Sequence, residues 1–92
     1  LSPQERADAL CLKLAIDEVQ GSFRRGLHVA QLLKDLALQV IMRSPTASID
    51  YIVLCDSITL EPVDIVSQNT LLAIAVKIGK TRLIDNAILG GE

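Results

Sequence analysis

The sequence contains few aromatic residues and no concentrated positive charge. Of its 92 residues, only Phe23 and Tyr51 are aromatic. Single-stranded nucleic acids are bound largely by stacking bases on aromatic rings, and this chain has too few aromatic residues for that mode of binding. Nine Lys and Arg residues stand against eleven Asp and Glu residues, and the longest basic run is the pair Arg24 and Arg25. The composition therefore argues against a nucleic-acid partner.

Long apolar segments and targeting signals are also missing. No apolar run approaches the roughly 20 residues that cross a bilayer, and no basic start precedes an apolar region with a small-residue cleavage site. We therefore expect a cytoplasmic protein with no membrane partner. The two cysteines, Cys11 and Cys55, are isolated among hydrophobic residues. In a reducing compartment they should be buried free thiols rather than a disulfide.

The length is that of one small domain, whose core must consist of Leu, Ile, Val and Ala because aromatics are so few. The first residue is Leu1 rather than Met, and a helix begins within the next three residues. We therefore interpret the chain as part of a longer protein.

A first helix is predicted to begin at Ser2. The Ser2 hydroxyl can accept a hydrogen bond from the Glu5 amide, Glu5 can reach back to Ser2, and Pro3 occupies a first-turn position that needs no N–H. The helix should end at residues 24–25, with Gly26 as terminator. Most of its circumference is apolar. Its narrow polar stripe consists of Arg6, Lys13, Asp17 and Gln20.

A second helix follows, with apolar residues at the i, i+3, i+4, i+7 and i+11 positions of a one-sided amphipathic helix. These are Val29, Leu32, Leu33, Leu36 and Val40. After residues 44–48 the apolar period changes to two, which predicts strands. In the first strand, residues 49–56, one face would be formed by Ile49, Tyr51, Val53 and Cys55.

Residues 71–78 are apolar on both sides except at Lys77, which predicts a central strand. Gly79 and Lys80 then suit a type II′ turn leading to a strand over residues 81–84. This hairpin makes the sheet antiparallel. The predicted fold class is α+β, with two N-terminal helices packed on a small three-stranded antiparallel sheet.

The search for catalytic groups is negative. Gly79, Lys80 and Thr81 repeat the end of a phosphate-binding loop, but Ile74 stands where the first glycine is required. His28 is the single histidine and no Cys-x-x-Cys occurs, so no metal site is predicted. The acidic residues of the first strand are too far apart to act as a pair, and no serine lies in a Gly-x-Ser-x-Gly sequence. We predict no catalytic residue in this chain.

Polar residues near the C-terminal end allow two interpretations. Arg82, Asp85 and Asn86 interrupt an otherwise apolar strand, and Lys80 is close to them in sequence. Such side chains are either paired within the domain or directed at a ligand or a neighbouring domain. The residue types alone favour structural pairing.

Three segments, in order along the chain, carry a resemblance to a known family. The first is Leu-Ser-Pro-Gln-Glu-Arg at residues 1–6. The second is Ile-Asp-Tyr-Ile at residues 49–52, followed by Asp56 and by Thr-Leu-Glu-Pro-Val at residues 59–63. The third is Ile-Gly-Lys-Thr-Arg-Leu-Ile-Asp-Asn at residues 78–86. Together they resemble the opening, the first strand with its turn, and the closing signature of the C-terminal domain of pantothenate synthetases, the pantoate–β-alanine ligases.

The resemblance implies that residues 1–92 are the C-terminal lid domain of such a ligase, without its N-terminal nucleotide-binding domain. The parent enzyme would condense pantoate with β-alanine through a pantoyl-adenylate, using ATP and magnesium, and would be a homodimer. The partner of this chain would be the N-terminal domain of the same enzyme, with pantoate, β-alanine and ATP in the shared cleft. Lys80 and Arg82 are the candidate contacts with that cleft, and the chain alone should be inactive.

An alternative stays open. The chain could be a stand-alone, non-catalytic interaction module derived from such a lid, in which the largely apolar first helix would supply the binding face. The coding sequence upstream of Leu1 distinguishes the two: a Rossmann-like domain ending in Ser-Arg-Asn favours the lid, and an initiator codon favours the module.

Overall fold

The computed structural model describes residues 2–90, with helices in the first half of the chain and strands in the second. The helices are α1 (Pro3–Asp8), α2 (Cys11–Arg24) and α3 (Ala30–Ile41). The strands are β1 (Ala47–Asp56), β2 (Thr70–Ile78) and β3 (Thr81–Ile88). They form one antiparallel sheet in the order β1-β2-β3. The predicted α+β class and the central position of residues 71–78 are confirmed. No helix of the described part is long and apolar enough to cross a membrane.

The predicted N-terminal cap is present. The Glu5 amide donates to the Ser2 hydroxyl at 3.1 Å, and the Ser2 amide donates to Glu5 Oε1 at 2.9 Å. Both halves of a capping box are therefore made, with Pro3 in the first turn. This reciprocal pair satisfies two amides that the helix itself leaves without a partner.

The first predicted helix is confirmed over residues 3–24, with one local irregularity at Ala9 and Leu10, which separates α1 from α2. The Leu10 amide bonds to the Ala7 carbonyl at 3.3 Å, three residues back rather than four. No glycine or proline causes this break. It directly follows Asp8, whose buried carboxylate is bonded to a residue after α3 instead of lying in solvent.

Gly26 ends α2 as predicted. Its φ of +103° lies in the region that favours glycine. The Gly26 amide donates to the Phe23 carbonyl and the Leu27 amide donates to the Ser22 carbonyl, both at 3.0 Å. These two bonds form a Schellman motif, which satisfies the last carbonyls of the helix.

The buried face of α3 differs from the predicted one. Leu33 and Val40 are buried as expected, but Val29 and Leu32 are 41% and 48% exposed. The buried face is instead completed by Ala30, Ala37 and Ile41. Small alanine side chains allow a helix to lie close to its neighbours, and a search for large apolar residues overlooks them.

Gln20 was predicted to lie on the polar stripe of the first helix, but it is buried. Its Nε2 donates to the Ile88 carbonyl at 3.0 Å, and its Oε1 accepts from the Gly90 amide at 3.1 Å. Both ends of the side-chain amide are therefore hydrogen-bonded, and they join α2 to the end of β3. A buried amide is tolerated because both of its ends are hydrogen-bonded.

A β-bulge places one residue of β1 on the face opposite to the predicted one. Ile49 pairs with Val76 and Tyr51 pairs with Ala75, so Asp50 is the extra residue. Because of this insertion Ile49 lies on the same face as Ile52, whereas Tyr51, Val53 and Cys55 share the other face as predicted. The alternation of residues predicts the sheet face of each side chain correctly within the segment before the bulge and within the segment after it, but not across the bulge.

The core lies between the two long helices and one face of the sheet. It is almost wholly aliphatic, as expected, with Phe23 as its single aromatic member. The sheet contributes, as its fully buried members, Leu72, Ile74, Val76 and Ile78 of β2. Cys11 and Cys55 are buried and free, as predicted, and burial raises the pKa of the Cys11 thiol, which keeps it protonated at neutral pH.

The opposite face of the sheet carries apolar residues that do not belong to the core. Side chains alternate between faces along a strand, and the register places one set of them away from the helices. We call this surface the open sheet face. Its apolar residues are Tyr51, Val53 and Cys55 of β1, Leu71, Ala73 and Ala75 of β2, and Ile84 and Ile88 of β3, and its polar residues on β2 and β3 are Lys77, Arg82 and Asn86.

Candidate functional site at the β2–β3 hairpin

Lys80 occupies the tip of the hairpin that joins β2 to β3. Ile78 pairs with Thr81, so the turn has two residues. Gly79 has a φ of +59°. Among the described residues Leu60 is the only non-glycine with positive φ, so Lys80 is not in that region. This combination fits the predicted type II′ turn. The Lys80 side chain is exposed and makes no hydrogen bond or ion pair within residues 2–90.

Arg82 is held by neighbours on the open sheet face. Its Nε donates to Asp50 Oδ2 at 2.7 Å, and its guanidinium carbon lies 5.8 Å from the centre of the Tyr51 ring. Both charged side chains are more than a third exposed, so this pair adds little to stability. The structural pairing favoured by the residue types is thus found for Arg82. The structure does not join Lys80 and Arg82 into one cluster.

A cleft of about 440 Å³ lies beside the hairpin turn and is lined by Glu5, Gly79, Lys80 and Thr81. The Glu5 carboxylate rests directly against the α-carbon of Gly79, so that a β-carbon there would overlap Oε2. Glycine is required at this position both by its φ and by this close approach. The capping box of α1 and the hairpin turn are therefore one packed unit.

A second set of contacts ties α1 to the same turn. Asp8 Oδ2 accepts from the Thr46 hydroxyl at 2.6 Å and from the Thr46 amide at 2.8 Å, while Oδ1 accepts from Gln4 Nε2 at 2.8 Å. The Thr46 carbonyl in turn accepts from the Gly79 amide at 3.4 Å. The chain Asp8, Thr46, Gly79 links three separate segments. It ties the backbone of the turn that carries Lys80 to the rest of the domain.

Hydrogen bonds lower the pKa of both carboxyls in this unit. For Asp8 the main cause is the bond from the Thr46 hydroxyl, with the Thr46 amide and Gln4 adding to it against the effect of burial. For Glu5 the main cause is the bond from the Ser2 amide. Both groups are anions at neutral pH. They are structural acceptors, because each has its bonds already made.

We expect Asp8→Asn to lower the melting temperature at pH 7 by about 5–10 °C. The folded-state pKa of Asp8 lies below its ordinary value of 3.8, so its stabilising effect is complete above that value and is lost as the pH falls through the folded-state pKa. The difference in melting temperature between wild type and Asp8→Asn should therefore become smaller below pH 4. Asp17→Asn, which removes an exposed carboxylate, is the control. A difference in melting temperature that stays constant from pH 7 to pH 3 would contradict the stabilising role of the ionised Asp8 carboxylate.

The geometry of this region suits contact rather than catalysis. The chain continues from Thr81 as a strand, so the segment 79–81 is a hairpin and not a phosphate-binding loop, as predicted. Within residues 2–90 no three side chains of His, Cys, Asp or Glu converge on a point where a metal ion could sit. What the hairpin offers is one exposed ammonium group on a rigidly held turn.

A larger cleft, of about 560 Å³, was missed by sequence reasoning. It lies at the C-terminal end of α2, and the rings of Phe23 and His28 in its lining are 5.1 Å apart. The other lining residues are Arg24, Val66, Ser67, Gln68 and Gly90. All seven lining residues together come from four separate places in the sequence and form no motif, so no local signal could have indicated this cleft.

Comparison with known proteins assigns the class. A family model described as pantoate-beta-alanine ligase matches residues 1–88. The chain is 48% identical to a pantothenate synthetase of Geobacter sulfurreducens over 92 residues and 49% identical to that of Geotalea uraniireducens, covering all of this chain and 32% and 33% of those proteins. Two crystal structures of the enzyme from Thermus thermophilus superpose with TM-scores of 0.86 and 0.87 at 26% and 25% identity, covering 97% of this chain and 32% of theirs.

The chain therefore belongs to the pantoate–β-alanine ligase family. It spans about a third of the length of the curated relatives it matches. Those relatives are named pantothenate synthetases, and the resemblance seen in the three sequence segments is confirmed.

Proposed function

We propose that this chain is the C-terminal lid domain of a pantothenate synthetase that joins pantoate to β-alanine. The observation that carries the proposal is a family match over nearly the whole chain that covers only a third of the relatives' length. The remaining two-thirds, roughly 190 residues, is enough for a separate nucleotide-binding domain. The catalytic residues would lie there, since none was found in this sequence.

By family resemblance the reaction has two steps. The pantoate carboxylate attacks the α-phosphorus of ATP, which forms pantoyl-adenylate and releases pyrophosphate, and the β-alanine amine then displaces AMP to give pantothenate. Water competes with the amine for the adenylate, so closing a domain over the cleft protects the intermediate. Magnesium would offset the charge of the phosphates. This chain has no cluster suited to hold the ion within its described residues, and we assign its ligands to the rest of the parent.

Lys80 is the residue of this chain best placed to act on the closed cleft. Its ammonium is exposed, makes no ion pair within residues 2–90 and is carried by a turn that Glu5 and Asp8 hold in place. A positive group facing a cleft that holds phosphates and carboxylates would stabilise the closed state. Arg82 is less available, because Asp50 already binds its guanidinium.

The proposed reaction is tested by assaying the full-length parent with pantoate, β-alanine, ATP and magnesium. The expected result is pantothenate and AMP in equal amounts, with no pyrophosphate released when pantoate is omitted. Formation of ADP and phosphate instead of AMP and pyrophosphate would contradict the adenylate mechanism.

In the parent we expect Lys80→Ala to lower kcat/KM by about tenfold, equivalent to about 1.4 kcal/mol of lost transition-state stabilisation. Arg82→Ala should have a smaller effect because Asp50 competes for it. Lys13→Ala on α2, an exposed lysine paired with Asp17, is the control for loss of one positive charge and should leave the kinetics unchanged. If the Lys80→Ala, Arg82→Ala double variant has wild-type kinetics, the hairpin is purely structural.

The stand-alone module remains the second candidate, because two leucines at the N-terminal end of α2 are exposed. Leu10 and Leu14 have 61% and 57% of their surface accessible. An initiator codon directly upstream of Leu1 would favour this candidate over the lid.

A further inference from the structure

The open sheet face has the residue pattern of a covered surface. An antiparallel sheet with one face in water normally alternates apolar and polar residues. In β2 the outward positions are instead Leu71, Ala73 and Ala75, and the first polar one is Lys77. On the neighbouring strands Tyr51 and Ile84 flank Ala75. Ala75 and Cys55 are buried within the domain, but Ile84 is 53% exposed, so the domain leaves part of this face uncovered.

The charged groups of this face lie at its margin, and its one uncharged polar residue on β2 and β3, Asn86, lies on the edge strand β3 opposite Ala73. Arg82 and Asp50 form an ion pair at the hairpin end, and Lys77 lies on the same side of the sheet. An apolar centre with a charged rim is the common arrangement of a protein interface. The charges of the Arg82 and Asp50 pair cancel, so the apolar centre does not have to bury an unpaired charge.

We propose that the open sheet face is the surface on which this domain docks against the remainder of the parent ligase chain. The inference rests on the proposed function, because it takes the other two-thirds of the relatives' length as the occupant. The contact between this domain and the rest of the parent chain is thus made by the sheet face opposite the helices.

The area of this face favours a tethered domain over a second copy of the chain. Three strands of about eight residues cover roughly 400 Å². Stable association of separate proteins buries about 800 Å² on each partner. A domain joined by a covalent linker acts at an effective concentration in the millimolar range, so a smaller contact is sufficient to hold it.

Cysteine labelling in the full-length parent tests this proposal. Ile84→Cys and Leu14→Cys are a matched pair, because the native side chains are 53% and 57% exposed in this domain. Ile84 is on the open sheet face and Leu14 is on α2. Cysteines outside the 92 residues are replaced by serine, and the rate of maleimide labelling is measured for each variant in the parent and in the 92-residue chain.

Docking predicts that Ile84→Cys reacts at least about tenfold more slowly in the parent than in the 92-residue chain, while Leu14→Cys changes little. Equal rates for Ile84→Cys in the two proteins overturn the proposal, as does protection of Leu14→Cys alone. Protection of Ile84→Cys that rises with the concentration of the 92-residue chain would assign the face to a second copy instead. A parent that makes pantothenate but leaves Ile84→Cys unprotected overturns the docking proposal alone. A parent that protects it without making pantothenate overturns the proposed function alone.

Discussion

Ile74→Ala is expected to destabilise the 92-residue chain by about 2–5 kcal/mol. Ile74 is fully buried in the centre of β2, on the face that packs against the helices. Its replacement removes apolar contacts and leaves a cavity that aliphatic neighbours fill only in part. Small domains have a total stability of about 5–15 kcal/mol, so the loss should lower the melting temperature by at least about 10 °C.

The matched control lies on the other face of the sheet. Ile84 on the adjacent strand has the same side chain but is half exposed, so Ile84→Ala should cost less than about 1 kcal/mol in the 92-residue chain. Urea denaturation of both variants gives the comparison. If Ile84→Ala costs as much as Ile74→Ala, the assignment of the core to the helix side of the sheet is wrong.

Gly79→Ala is the second change for which we expect a large effect, about 2–3 kcal/mol or roughly 10–20 °C in melting temperature. Two causes act together. An alanine at a φ of +59° in this turn is strained, and its β-carbon would overlap the Glu5 carboxylate and force it out of the capping box. The change should therefore loosen α1 as well as the hairpin.

A double-mutant cycle separates these two causes. Glu5→Ala removes the overlapping carboxylate, so Gly79→Ala should cost less in that background than in wild type. Gly26→Ala provides the control for backbone strain alone, because its φ is +103° but nothing lies within 4 Å of the added methyl group. If the losses in free energy of unfolding caused by Gly79→Ala and Glu5→Ala are additive, the proposed contact between the turn and the capping box is wrong.

The sequence predicted the features that depend on neighbours along the chain. The capping box at Ser2, the termination at Gly26 and the turn at Gly79 are local, and each appears where its residues indicate. The fold class followed from the change of apolar period. Family membership followed from three short segments, which the comparisons confirm.

The features that sequence reasoning missed depend on residues distant along the chain. Gln20 has the polar character of a surface residue, and only its bonds 68 and 70 residues away explain its burial. Asp50 is the extra residue of a bulge because the pairing of β1 with β2 skips it, and this moves Ile49 to the opposite face. The role of Asp8 depends on Thr46, which is 38 residues further along. Such contacts exist only once the chain has folded.

The candidate site was predicted in part for the same reason. Lys80 and Arg82 were identified from the closing signature, and the sequence placed both in or next to a hairpin. It could not indicate that Asp50 binds Arg82 and leaves Lys80 as the exposed cation of the turn, because that ion pair joins β1 to β3 across the sheet.

Pantoate-dependent release of pyrophosphate from ATP tests the proposed role of this chain most directly. It should be measured with the 92-residue chain and with the full-length parent at equal concentration. We predict rapid release by the parent and none above the uncatalysed rate by the 92-residue chain, because our proposal assigns the groups that activate ATP to the rest of the parent. Pantoate-dependent release by the 92 residues alone would contradict the lid function.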